Sequence, residues 1–230
     1  MHVLIYGADG ATGSRLVTQA LEAGHTVRAS VIEAGPDLRS DPALTWVESD
    51  LLAGDGLVRD LDGIDAVLNA VGIDVGPTTA LSPPPLHSKG TRNLVGAMRQ
   101  ADVTRLVTIS ASFVKTMARG PIWFEVAARM GLKKVFDDMA AMEDYLRDQT
   151  DIAWTAVRPG WLLDEEKTAD YRIFPAVIPE DLIRTRTGDL AHFMLACAED
   201  GTHIHETPAI ARPEPSEKSG PDAVLAEMLA

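Results

Sequence analysis

Gly7-Ala8-Asp9-Gly10-Ala11-Thr12-Gly13 sets three glycines at intervals of three residues, between a short apolar run and an amphipathic one. Glycines at this spacing allow a tight turn and close backbone approach, so that free N–H groups at a helix start can hold a pyrophosphate. Thr12 is small and polar enough to add a hydroxyl contact. Asp9 suits an anion only if its carboxylate turns outward. Twenty positions after Gly13 stands Glu33, where an acidic side chain can accept hydrogen bonds from ribose hydroxyls and disfavour a 2′-phosphate. That leans the cofactor from NADP toward NAD. A solvated loop glutamate is an equal reading, and Arg15 or Arg39 could still reach a 2′-phosphate. Asp50 is placed for the adenine side, and Asn69-Ala70-Val71-Gly72 is small enough to pass beneath a bound dinucleotide.

The elements that must position these groups follow from periodicity. Val3–Tyr6 lacks polar alternation, as a strand buried on both faces of a parallel sheet does. Ser14–Ala23 has helical spacing at Leu16, Val17, Ala20 and Leu21, with Gly24 as its stop. Further strands are expected at Thr26–Ile32, Thr45–Glu48, Asp65–Val71, Arg105–Ile109 and Ile152–Val157, with helices at His87–Ala101 and Asp137–Gln149. Repeated βα units with short connections predict a doubly wound parallel α/β sheet with helices on both faces. Two insertions, Asp74–Leu86 and Lys115–Lys134, leave the carboxyl ends of strands, the edge where ligands sit in such sheets. Residues 1–210 are expected to form one domain that includes the substrate site. The proline-rich Ala211–Gly220 is expected to be a mobile tail, and Asp222–Ala230 a short helix.

The chain has 230 residues, 46% apolar and 24% charged, enough for a proper core. A net charge of −13 argues against nucleic acid as a partner. No apolar run reaches the length of a membrane helix, and the N-terminus lacks a signal-peptide layout, so a cytoplasmic protein is expected. The single cysteine, Cys197, lies in an apolar run and reads as a buried thiol. Four tryptophans carry most of the aromatic surface: Trp46 and Trp154 fall in strands and read as core, whereas Trp123, with Phe124, and Trp161 fall where they could wall a substrate pocket. No metal site is expected. His203 and His205 read as exposed on a late strand with Glu206, and Asp137, Asp138, Glu143 and Asp144 as a solvated helix face.

With these residues in view, the chain resembles the atypical NAD(P)H-binding branch of the short-chain dehydrogenase/reductase superfamily, which includes biliverdin-IXβ (flavin) reductase and NmrA-like proteins. The resemblance covers residues 1–210 and rests on the glycine motif, Asp50-Leu51, Leu81-Ser82-Pro83, the run from Gly90 to Met98, Ser110-Ala111-Ser112-Phe113, Val157-Arg158-Pro159-Gly160 and Asp189–Met194. It implies a Rossmann-like domain that binds NAD(P)H along Gly7, Gly10, Ala11, Thr12, Gly13, Glu33, Asp50, Leu51, Ala70, Val71 and Gly72. Hydride would pass to a small planar or conjugated acceptor such as a flavin, quinone or polycyclic carbonyl, beside Phe113, Trp123, Pro159 and Trp161.

The departures bear on catalysis. The superfamily's Tyr-x-x-x-Lys pair is missing, because Tyr145 is followed at that spacing by Gln149. The branch's serine and histidine positions hold Ala111 and Trp161. Ser110 and Ser112 bracket the lost serine and are the candidate catalytic residues, placed on one face by strand alternation. Reduction of flavin-like acceptors can work by stacking and hydride geometry, with the proton drawn from water. Two other readings stand beside the reductase: a non-catalytic dinucleotide sensor of the NmrA-like kind, and a non-redox cyclase or isomerase on the same fold. A monomer or homodimer is expected.

Overall fold

The computed structural model describes residues 1–36, 38–73, 82–116, 132–220 and 223. Strand β1 (His2–Tyr6) leads through the glycine turn into helix α1 (Ala11–Glu22). Then come β2 (Thr26–Val31), β3 (Leu44–Glu48), helix α2 (Leu57–Asp60), β4 (Ala66–Asn69) and helix α3 (Leu86–Gln100). They are followed by β5 (Arg105–Ile109), the short helix α4 (Phe113–Thr116), helix α5 (Lys133–Arg147) and β6 (Ala153–Pro159). The chain continues through β7 (Trp161–Leu163), β8 (Arg172–Phe174), β9 (Arg184–Arg186), helix α6 (Thr187–Asp200), β10 (Ala209–Ala211) and helix α7 (Ser216–Ser219).

The main sheet runs β3-β2-β1-β4-β5-β6-β10-β8 and is parallel throughout except where β8 pairs with β10. Alternation along β1 shows why it is covered on both faces. Val3 and Ile5 enter one core with α1 and α6, while Leu4 and Tyr6 enter the other with α3 and α5. The fold is therefore the doubly wound Rossmann-like sheet expected from the βα rhythm. Its strand order reverses between β1 and β4, and a crevice opens there at the carboxyl edge. Among the described residues no helix is long and apolar enough to cross a membrane.

Several local expectations are corrected. Of the helix face read as solvated, Asp137 and Asp144 are exposed as expected, but Asp138 and Glu143 are engaged. Asp138 accepts the His87 and Ser88 N–H groups at 2.9 and 3.3 Å together with the Ser88 hydroxyl, capping the start of α3. Glu143 is fully buried against Arg158. His203 and His205 lie in a turn with φ near +55° and +59°, which a strand excludes. Trp46 is only half-buried and donates to the Arg39 carbonyl at 2.8 Å, whereas Trp154 is core as expected. Cys197 is buried on α6, and burial pushes its thiol up to about 11. Both insertions lie largely outside the described residues, as does nearly all of the 222–230 segment.

The tail expected to be mobile is instead pinned. β10 joins the sheet, and the Glu214 carboxylate accepts two hydrogen bonds from Arg186, at 2.6 and 2.8 Å. Arg184 donates to the Lys218 carbonyl at 2.6 Å. The Arg186 guanidinium holds the Glu214 carboxyl below the usual range, against the opposing effect of burial. A depressed native value means that this contact stabilises the fold above the ordinary glutamate range and stops doing so as pH falls through the depressed value. Glu214→Gln is accordingly expected to expose the tail at neutral pH. Faster tryptic cleavage at Lys218 would report it, and unchanged cleavage would show that backbone contacts alone hold the segment.

Candidate functional site

The turn after β1 is built from close backbone contacts. Gly7 has φ +69°, a conformation glycine adopts without penalty, and its carbonyl accepts the Gly10 N–H at 3.1 Å. A Cβ on Gly13 would stand 1.9 Å from the Gly7 oxygen, so only glycine lets α1 begin this close to the turn. No side chain caps α1, whose first backbone bond, Ser14 N–H to the Gly10 carbonyl at 2.9 Å, leaves the preceding N–H groups for a ligand. Gly7, Asp9 and Gly10 line a cleft at the switch point, with about 600 Å³ of empty space. Its other walls are the ends of β1 to β4 and the start of α3: Tyr6, Ser30, Val31, Ile32, Ser49, Leu51, Ala70, Val71, Gly72 and Leu86. An uncapped helix start facing an open, glycine-floored cleft fits a dinucleotide pyrophosphate.

Second-layer contacts explain the sequence run from Gly90 to Met98. Asn93 on α3 donates to the Leu51 carbonyl at 2.7 Å, and a Cβ on Gly90 would stand 3.2 Å from that of Leu51. Close helix approach therefore seats Leu51 in the cleft. Asp50, exposed between the lining residues Ser49 and Leu51, is not itself among the cleft's lining residues, and its carboxylate accepts the Leu52 N–H at 2.7 Å. Burial, aided by the nearby Asp60 carboxylate, raises the pKa of the Tyr6 phenol, which stays neutral beneath the cleft.

The structure brings Gly7, Gly10, Leu51, Ala70, Val71 and Gly72 into one cleft, with Ala11, Thr12 and Gly13 in the adjoining helical turn. Glu33 is exposed just beyond Ile32. Arg15 pairs with Asp164 at 3.0 Å and Glu166 at 3.3 Å, and Arg39 donates to Thr18 at 3.3 Å, so both arginines are engaged. Sequence reasoning overlooked Tyr6, Ser30, Val31, Ile32, Ser49 and Leu86. The strand-end rule, applied to the last residue of every strand, would have found Tyr6 and Val31.

Ser110 and Ser112 are not a matched pair. β5 ends at Ile109, so strand alternation no longer governs them. Ser110 donates to Glu143 at 2.6 Å, Ser112 donates to the Arg158 carbonyl at 3.0 Å, and both are buried. Phe113 and Trp161 meet in one apolar cluster with Phe136, while Trp123 lies outside the described residues. Pro159 closes β6, and its carbonyl accepts the Ser112 N–H at 2.9 Å. Beside this cluster a second cavity, about 660 Å³ of empty space with its solvent-open mouth included, lies on the same edge of the sheet between α4 and the 177–183 segment.

Comparison with known proteins agrees with this geometry. Residues 7–201 match the family described as NAD(P)H-binding. An uncharacterized chloroplastic protein of Arabidopsis thaliana is 32% identical over 181 residues, which is 75% of this chain and 63% of that protein's length. The chain thus spans less than two thirds of that relative. Among solved structures, an oxidoreductase from Lactococcus lactis superposes with TM-score 0.76 at 20% identity, covering 100% of this chain and 98% of that one. A Streptococcus pneumoniae protein assigned as an NADH-flavin reductase gives TM-score 0.72 at 22% identity, covering 93% and 100%. These two likenesses establish the shared fold. With 7–201 matched and the glycine turn facing an open cleft at the switch point, the chain belongs to the NAD(P)H-binding family and has the Rossmann-like fold that holds a nicotinamide dinucleotide.

Proposed function

We propose that this protein is an oxidoreductase in which a nicotinamide dinucleotide, lying across the carboxyl edge of the sheet, reduces a planar conjugated acceptor. The observation that carries this reading is the apolar cavity beside Phe113 on the same sheet edge as the glycine-floored cleft. The bound dinucleotide would supply a hydride. The first turn of α1 would hold the pyrophosphate through Ala11, Thr12 and Gly13, with Gly7 and Gly10 granting close approach. Leu51, Ala70, Val71 and Gly72 would form the apolar walls, and Asp50 would support the adenine side through the turn it stabilises.

The two serines take positioning roles. Ser110 commits its hydrogen to Glu143 and Ser112 to the Arg158 carbonyl, so neither has a proton ready for an acceptor. Tyr145 and Gln149 do not replace the missing pair: the Tyr145 ring lies 4.4 Å under Arg92, and Gln149 accepts from Arg99 at 2.7 Å. An acceptor whose reduced form takes its proton from water suits such a site. The same engaged hydroxyls favour a second reading, a dinucleotide sensor without turnover.

Titration with NADH and NADPH, followed by oxidation against quinones and flavins, separates the two. Turnover supports the reductase, binding without turnover of any acceptor supports the sensor, and no binding refutes both. Glu33 beyond β2, with Arg15 and Arg39 engaged elsewhere, favours NADH. Glu33→Arg is expected to raise NADPH affinity about tenfold relative to NADH, a preference worth about 1.4 kcal/mol. An unchanged ratio would remove Glu33 from the ribose site.

A further inference from the structure

The second cavity has a preformed wall. Arg158 donates to the Ala176 carbonyl at 2.8 Å, Leu182 N–H bonds the Pro179 carbonyl at 3.1 Å, and Trp161 N–H bonds the Ile183 carbonyl at 2.7 Å. Gly160 makes the last contact possible, because a Cβ there would stand 2.5 Å from the Ile183 oxygen. Segment 176–183 is thereby fastened to the end of β6 before any ligand arrives.

The lining is apolar through Phe113, Ile178, Pro179 and Ile183, and among the described residues its polar side chains are Thr116 and Glu180. Thr116 donates its hydroxyl to the Ser112 carbonyl at 3.0 Å, which leaves that hydrogen unavailable to a ligand. Glu180 is exposed at the rim and has no ion pair or hydrogen bond among the described residues. Lys115, on the same short helix as Phe113, is exposed and is not part of the lining. The cavity thus pairs an apolar slot with an uncompensated carboxylate, in a chain of net charge −13.

Building on the reductase reading, we infer that this cavity selects uncharged planar acceptors and turns away those bearing a phosphate, sulfonate or carboxylate, with Glu180 as the discriminating group. The slot buries a planar apolar face, which contributes to any such ligand alike. The anionic substituent of a charged analogue must then approach Glu180 with no cation among the described lining residues to offset it, and like charges brought close in a partly dehydrated rim repel. Specificity here comes from repulsion at the rim.

Two matched pairs test this: riboflavin against FMN, which differ by one phosphate, and 2-methyl-1,4-naphthoquinone against a naphthoquinone sulfonate. Binding is measured by calorimetry or tryptophan quenching, with and without NAD+, and turnover by NADH oxidation. The neutral member of each pair is expected to bind and react about tenfold better, and Glu180→Gln should remove most of that gap without changing NADH affinity. Glu180→Lys should reverse it. Equal or better binding of FMN and the sulfonate by the wild type, a gap unaltered in Glu180→Gln, or no binding of any of the four compounds would overturn the inference. Discrimination in binding without NADH oxidation would leave it standing while refuting the reductase reading.

Discussion

Gly13→Ala is expected to weaken NADH binding by at least about a hundredfold, equivalent to about 2.7 kcal/mol. The new Cβ would fall 1.9 Å from the Gly7 oxygen and 2.7 Å from the Gly7 carbonyl carbon, distances that no rotamer relieves because both partners are backbone. Gly7 cannot retreat. A Cβ built on it would already stand 3.0 Å from the Val71 backbone, and the neighbouring Ala8 N–H is bonded to the Ser30 carbonyl at 3.1 Å. The start of α1 must therefore move outward and carry its N–H groups away from the pyrophosphate. Overpacking of this kind also costs about 1–3 kcal/mol of stability. Gly10→Ala is a useful contrast, since its Cβ would stand 3.3 Å from the same oxygen, and a shift of a few tenths of an ångström accommodates it. Its expected loss is smaller than about tenfold, equivalent to about 1.4 kcal/mol. Calorimetric titration of both variants, with thermal unfolding alongside, checks the ranking; near-wild-type affinity in Gly13→Ala would displace the phosphate site from this turn.

The second large effect is expected at the buried pair. Arg158 and Glu143, 2% and 0% exposed in their side chains, share two hydrogen bonds of 2.7 and 2.5 Å. Arg158→Met should cost about 3–5 kcal/mol, because it leaves a carboxylate buried with only partial compensation. Arg147, 3.2 Å from the Glu143 carboxylate, and the Ser110 hydroxyl supply that remainder. The double variant Glu143→Leu/Arg158→Met should recover most of the loss, since removing both charges also removes their desolvation cost. Urea unfolding of the single and double variants measures this, and a double variant as unstable as the sum of its parts would refute it. Arg158 also holds Ala176, so the single variant should lose acceptor affinity more than NADH affinity.

This pair also marks a boundary of what residue patterns reveal. Glu143 and Asp138 sit among other charges on an amphipathic helix, and their spacing is that of a solvated face. What makes one an ion-pair partner and the other a helix cap is the packing of α5 against β6 and α3, which brings together residues 15 and 50 positions apart. The His203 and His205 turn, the three-residue strands β7 to β10 and the anchored tail were illegible for the same reason. A three-residue segment carries no usable period, and its extended form comes from the neighbour it pairs with.

The strand, glycine turn and first helix, by contrast, were determined by sequence alone. Gly7 and Gly13 permit a turn that a side chain would obstruct, Gly7 through its positive φ and Gly13 through its approach to the Gly7 carbonyl, and the apolar runs at β1, β4 and β5 demand cover on both faces. From these the parallel α/β sheet, its carboxyl edge and the glycine turn beside it follow without knowledge of distant contacts. Only the tertiary structure decided which side chains face that edge: it drew Ser110 onto Glu143, Arg15 onto Asp164 and Glu166, and segment 176–183 over Phe113 to shape the second cavity. Backbone sterics are short-ranged and written in residue type, whereas charge pairing and cavity shape depend on which distant elements packing brings within a few ångströms.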